Sequence, residues 1–147
     1  MFKDEHTNRK GETEMEKLNY KGVVATVLTN THIKPRRLDV YWIDLGKGNG
    51  SIQGGRRPCV VISNDMANKF SPVIQIAPIT SSMTKRKLPT HVNVKQGEAG
   101  LSKDSTILLE QNMPVNKTQI RSYIGTITDR EVVRQINQAI KIQMGVC

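Results

Sequence analysis

Little in this sequence can hold a fold together by covalent or coordinate bonds. It contains 2 cysteines, Cys59 inside an apolar run and Cys147 at the last position, too few and too unevenly placed for a disulfide framework, which points to a reducing compartment. The 3 histidines, His6, His32 and His91, are scattered, and no carboxylate cluster has ligand-like spacing. No metal site is therefore expected, no cofactor is implied, and metal-dependent hydrolysis is disfavoured. A pair of histidines acting as acid and base is disfavoured too, because His6 and His32 precede the first clear strand. His91 stands alone and reads as a structural histidine on a strand. No run approaches the roughly 18 apolar residues of a membrane span, and Met1–Glu16 lacks the apolar core of a signal peptide. A soluble cytoplasmic protein is expected. The stretch Gly46-Lys47-Gly48-Asn49-Gly50 lacks the Gly-Lys-Ser/Thr ending of a phosphate cradle and reads as a flexible rim. Aromatic residues make up only 4% of the chain, so Trp42 and Phe70 are expected in the core rather than as platforms for stacked bases.

What the chain has in excess is positive charge. Lys and Arg number 22 against 13 Asp and Glu, a net charge of +9. Five residues of each sign fall within residues 1–33, so the whole excess lies in residues 34–147. Such a surface suits a polyanion, nucleic acid ahead of a membrane. The length of 147 residues fits one domain. The first sixteen or so residues mix both signs with almost no apolar content and cannot offset the entropy of ordering, so they read as a disordered tail. Leu18–Leu28 has the β-branched content of a strand and the length of a helix, and periodicity does not decide between them. The expected organisation is an N-terminal extension over 1–33, disordered in its first half, followed by a domain over 34–147, with Met15 an alternative start.

From Asp39 the pattern is that of short strands. The runs Asp39–Leu45 and Pro58–Ser63 flank a glycine-rich connection. A polar stretch with room for one helical turn leads to Val73–Ile79, and shorter runs follow at His91–Val94, Thr106–Glu110 and Ser122–Thr128. Short strands separated by turn residues indicate an all-β barrel or sandwich. The last segment reads as a helix: Thr128 and Glu131 form a capping-box signal, and Val132, Val133, Ile136 and Ile140 share a face ahead of Gly145.

Two polar clusters stand at strand ends: Ser51, Gln53, Arg56 and Arg57 before the second run, and Thr80, Ser81, Ser82, Thr84, Lys85, Arg86 and Lys87 after the third. Neighbouring strands would bring them together, although each alone also reads as a solvated basic loop.

The stretch Ser51-Ile52-Gln53-Gly54-Gly55-Arg56-Arg57-Pro58, followed by an apolar strand and Asn64-Asp65, resembles the MazF/PemK pattern of a Ser-x-Gln-Gly-Gly-x-Arg-Pro loop. Phe70-Ser71-Pro72, Ala77-Pro78-Ile79-Thr80-Ser81, Leu88-Pro89-Thr90-His91-Val92, Gly100-Leu101 and Asp104–Gln111 are similar in order and spacing, from about Leu38 to Val146. The resemblance implies a mainly β fold, a small SH3-like barrel of the CcdB/MazF type with a C-terminal α-helix. It also implies a homodimer that cleaves single-stranded mRNA at specific sequences without a metal, leaving 2′,3′-cyclic or 3′-phosphate and 5′-hydroxyl ends. It places Arg57 and Thr80 at the catalytic centre, with Ser51, Gln53, Arg56, Ser81 and Lys85 as substrate contacts. A MazE/PemI-type antitoxin with an acidic tail is the implied partner, and operator DNA is reached through the antitoxin complex. Leu38 occupies a place where the family has Gly. Two rival readings are a CcdB-like gyrase poison, whose Trp-Gly-Ile ending differs from Met144-Gly145-Val146-Cys147, and an inactive module that binds antitoxin and DNA.

Overall fold

β-Branched and aromatic side chains build the first strand, β1 (Asp39–Asp44), with Val40 and Ile43 fully buried. The computed structural model describes residues 33–82 and 87–147. The chain divides into a unit Met1–Lys34 and a unit Pro35–Cys147, and the architecture below is that of the second. The readings of the N-terminal segment, and of Thr84, Lys85 and Arg86, lie outside the described residues.

β2 (Arg56–Val61), α1 (Asp65–Phe70), β3 (Val73–Thr80), β4 (His91–Val94), β5 (Ser105–Leu108), β6 (Met113–Asn116), β7 (Ile120–Thr126) and α2 (Arg130–Met144) follow in order. The strands form an antiparallel sheet in the order β4-β5-β3-β2-β1-β7. β3 is long enough to be shared: β6 pairs with its first half, Val73–Ile76, and β5 with Ile79 and Thr80. A 3-10 turn, Leu109–Gln111, carries the chain from β5 to β6. The expected class, mainly β with a C-terminal helix, is the class observed. β6 escapes a reading from sequence because Pro114 interrupts it. Pro lacks the N–H of a central strand but is tolerated here, where β3 is the only strand paired with β6 among the described residues.

Strand pairing leaves β4 and β7 as the two ends of a sheet that does not close into a barrel, and glycine brings the turn after β4 onto β7. The 3-10 turn Glu98–Gly100 after β4 packs on β7 backbone to backbone: a Cβ on Gly125 would overlap the carbonyl of Ala99, and one on Gly100 would lie 2.6 Å from the Ile124 carbonyl oxygen. The Glu98 carboxylate accepts the backbone N–H groups of Thr128 and Asp129 at 2.7 and 3.0 Å, which fixes the approach to α2. Gly125→Ala is expected to cost about 2–3 kcal/mol, since both sides of the contact are main chain and neither can rotate away. Urea denaturation will measure the loss.

α2 covers one face of the sheet through Ile136 and Ala139, with Val132, Val133 and Ile140 packed beside them on one helical stripe. Its N-cap is Asp129 rather than Thr128: the Asp129 carboxylate accepts from the N–H groups of Glu131 and Val132. The shift by one residue has an electrostatic reason, because an ionised cap answers the positive end of the helix better than a hydroxyl. Gly145, at φ 69°, closes the other end. Among the described residues no helix is long and apolar enough to cross a membrane.

The core is aliphatic: Ile43, Ile74, Ile76, Ile79, Ile107, Leu109, Ile120 and Ile136 are its largest fully buried side chains. Trp42 and Phe70, expected among them, are 43% and 45% exposed. Trp42 stands between buried Tyr41 and Ile43 where the β1–β7 register shifts on either side, between Val40 and Tyr41 and between Trp42 and Ile43. Phe70 ends α1, with the Lys69 ammonium 5.3 Å from its ring centre.

Burial pushes the Cys59 thiol up to about 12, against a smaller opposing pull from Arg57. The folded value exceeds the unfolded value of 9.0, so this group favours folding below pH 9 and its contribution is lost as the pH climbs toward 12. Exposed Cys147 is therefore expected to react with a thiol reagent at once at pH 8. Cys59 should react at the rate of unfolding, as a stopped-flow labelling trace with two phases.

Candidate active site

Register alone brings the first pair of predicted residues together. Cys59, Val60 and Val61 of β2 pair with Pro78, Ala77 and Ile76 of β3, and continuing that register by two residues sets Arg57 opposite Thr80. On its other side β2 pairs with β1, where Arg57 faces Ile43 and Arg56 faces Asp44. Pro58 keeps Arg57 extended, as the residue before a proline must be. Arg57 donates from Nε to the Gly54 carbonyl oxygen at 2.9 Å. Among the described residues its two terminal nitrogens have no hydrogen-bond partner, so they are presented to a ligand. Thr80 is 8% exposed, and its Oγ1 accepts from the Ser82 backbone N–H at 3.1 Å. With that lone pair engaged, the hydroxyl proton remains to be donated outward.

The connection between β1 and β2 is a hairpin pinched at its base. Asn49 and Ile52 exchange backbone hydrogen bonds at its tip, Leu45 N–H donates to Gly55 and Gly55 N–H to Gly46. Gly54 and Gly48 meet backbone to backbone, with no room for a Cβ on either. Gly55 needs glycine for its φ of 74°. At Gly54 the requirement is close approach. The tip is tied to the sheet by one side chain. Gln111, at the end of the 3-10 turn after β5, accepts from Gln53 N–H at 3.0 Å and donates from Nε2 to the Ser51 carbonyl oxygen at 2.9 Å.

Two clefts adjoin at this site. The larger, about 510 Å³, is walled by Trp42, Arg56, Ile124 and Lys103, with Ser81 beside its floor. The smaller, about 350 Å³, is walled by Gln53, Leu88, His91, Glu110 and Gln111. Arg57, Thr80 and Ser82 line both. One groove thus runs across the sheet, and the pair Arg57 and Thr80 lies at its middle. Of the residues expected at the site, Arg57, Thr80, Gln53, Arg56 and Ser81 come together in this groove. Ser51 is exposed beside it and takes part through its backbone, and Lys85 is outside the described residues.

The structure adds residues that sequence reasoning set aside. His91 Nε2 lies 2.9 Å from Glu110 Oε2, and Thr90 Oγ1 donates to the other Glu110 oxygen at 3.0 Å. The Leu88 N–H points at His91 Nδ1 at 3.4 Å. A histidine and a carboxylate thus stand together on the wall of the smaller cleft. Their only sequence signal is the pairing of β4 with β5, which sets His91 opposite Leu108, two residues before Glu110. Lys103 and Ser102 enter from the segment that follows β4.

Residues 36–144 match the model of the PemK-like, MazF-like toxins of type II toxin-antitoxin systems. The chain is 43% identical over 110 residues to an endoribonuclease MazF of Staphylococcus saprophyticus, which covers 75% of this chain and 91% of that protein. A crystal structure of MazF from Deinococcus radiodurans superposes with a TM-score of 0.66 at 19% identity, covering 78% of this chain and 99% of that one. A mycobacterial endoribonuclease in complex with its cognate antitoxin superposes at 0.63 and 22% identity, covering 77% and 97%. Both share the fold described above.

Proposed function

Since this chain belongs to the PemK-like, MazF-like toxins of type II toxin-antitoxin systems and is an endoribonuclease, we propose that the groove holding Arg57 and Thr80 is where it cuts single-stranded RNA. The observation that carries this reading is their placement on neighbouring strands, at the floor that both clefts share. The RNA's own 2′-hydroxyl attacks the adjacent phosphorus and the bond from phosphorus to the 5′-oxygen breaks. The products are a 2′,3′-cyclic phosphate, which water opens to a 3′-phosphate, and a 5′-hydroxyl.

Each step has a residue suited to it. The terminal nitrogens of Arg57 donate a pair of charge-assisted hydrogen bonds to the non-bridging oxygens as negative charge gathers there. The Thr80 hydroxyl, already accepting from Ser82, donates its proton to the same phosphate. His91 and Glu110 take the 2′-hydroxyl proton and return one to the leaving 5′-oxygen. Gln53 and Arg56, on opposite arms of the groove, contact the flanking nucleotides together with Ser51, Ser81 and Lys85. The +9 charge draws RNA in and equally draws an antitoxin whose acidic tail competes for the groove. The working form is a homodimer in the cytoplasm, and it reaches operator DNA through the antitoxin.

The test is incubation of the purified protein with a long unstructured RNA in excess EDTA, followed by mapping of cut sites and end groups. Sequence-specific cuts with 5′-hydroxyl ends, undiminished by the chelator, are expected. Intact RNA, or cleavage that needs added metal, overturns the reading.

A further inference from the structure

We propose that Gln111 is a positioning residue for this reaction, and that its carboxamide sets the loop that meets the RNA. The inference rests on the nuclease reading above and extends it to a side chain on the far wall of the groove.

Among the described residues, the loop tip 47–53 makes hydrogen bonds only within itself or to Gln111. The amide is used at both ends: its oxygen accepts from Gln53 N–H and its nitrogen donates to the Ser51 carbonyl, fifty-eight and sixty residues away in the chain. Gln111 is itself on firm ground. The same 3-10 turn buries Leu109 completely. Asn112 Nδ2 donates to the Leu109 carbonyl at 2.8 Å, and Asn112 Oδ1 accepts from Gln75 Nε2 of β3 at 2.7 Å. One residue beyond Gln53, the Gly54 carbonyl accepts from Arg57 Nε. A continuous path therefore leads from β3 through Asn112, Gln111 and the loop to the plane of the catalytic guanidinium. A loop that carries two substrate contacts and fixes a third is costly to leave free, because its ordering entropy would fall on RNA binding.

The experiment compares wild type, Gln111→Ala, Gln111→Glu and Arg57→Ala by amide hydrogen exchange, melting, and cleavage of a single-stranded RNA with mapped cut sites. In Gln111→Ala the Gln53 amide should exchange faster while the protection of β3 persists. KM should rise, kcat/KM should fall about tenfold, as for two lost hydrogen bonds of ordinary strength, and the set of cut sequences should broaden. Gln111→Glu keeps the acceptor and loses the donor, so Gln53 should stay protected while the cut set still broadens. Wild-type kcat/KM and cut sites in Gln111→Ala, or an unchanged Gln53 exchange rate, would overturn the proposal. Loss of protection throughout β3 would make Gln111 merely structural and overturn it as well. If wild type leaves the RNA intact, the nuclease reading fails first and takes this inference with it.

Discussion

Arg57→Ala is expected to lower kcat by about 10³-fold while the protein keeps nearly all its stability. Removing a preorganised donor from a developing oxyanion costs about 10² to 10³ in rate, and an arginine acting on a transferring phosphoryl group is worth at least as much. The structural loss is small by comparison. The Nε bond to the Gly54 carbonyl is one half-exposed hydrogen bond, about 1 kcal/mol, and the aliphatic neighbours of Arg57 are not rearranged by truncation. Arg57→Lys should recover little, because an ammonium is a point charge and cannot pair two phosphate oxygens in one plane. Single-turnover cleavage beside a urea titration separates the two effects. A variant that melts like wild type and cuts within tenfold of it would remove Arg57 from the chemistry.

The reverse pattern is expected at Asp39. This carboxylate is 8% exposed and accepts three hydrogen bonds: Arg36 N–H at 2.9 Å and Tyr41 OH at 3.1 Å on one oxygen, Thr126 Oγ1 at 2.8 Å on the other. It thereby joins the entry to β1, the β1 strand and the end of β7. The Tyr41 hydroxyl, held well above its ordinary range by burial and by Asp39, stays a donor throughout and would be left without an acceptor. Asp39→Ala should cost about 3 kcal/mol, a fall in melting temperature of the order of 10–20 °C, with activity per folded molecule unchanged. Asp39→Asn, which keeps an acceptor oxygen, should cost about half as much. Chemical denaturation of both variants decides; an alanine variant within about 0.5 kcal/mol of wild type would show the network to be decorative.

The strands were legible where runs rich in β-branched and aromatic residues stand between turn residues, as in Asp39–Leu45 and Val73–Ile79, because composition and turn chemistry are local properties. α2 was legible for the same reason, down to its Gly145 cap. What sequence could not reveal depends on contacts between distant residues. Nothing near Gly100 or Gly125 announces that the two will touch. His91 and Glu110 are nineteen residues apart, and each taken singly has an ordinary structural explanation. Trp42 is exposed although rarity of aromatics argues for burial, at a point where β1 pairs irregularly with β7. Leu38 was a visible departure with a physical meaning: it sits at φ 78°, a left-handed conformation that costs a branched residue about 1–2 kcal/mol and glycine almost nothing. The Arg57 and Thr80 pair was found from the motif, and strand register explains why those two positions meet.

The 3-10 turn after β5 gives this molecule a division of labour that bears on how it can diversify. Leu109 is sunk in the core, Glu110 holds His91, and Gln111 grips the β1–β2 hairpin, so on the proposed reading three adjacent residues would serve fold, chemistry and recognition in turn. In residues 46–50, all exposed, Gly46 and Gly48 shape the base of the hairpin, while the side chains of Lys47 and Asn49 stand beyond the grip. On the proposed reading, substitutions at Lys47 and Asn49 are the ones expected to alter which messages are cut while the hairpin that holds Arg57 keeps its shape.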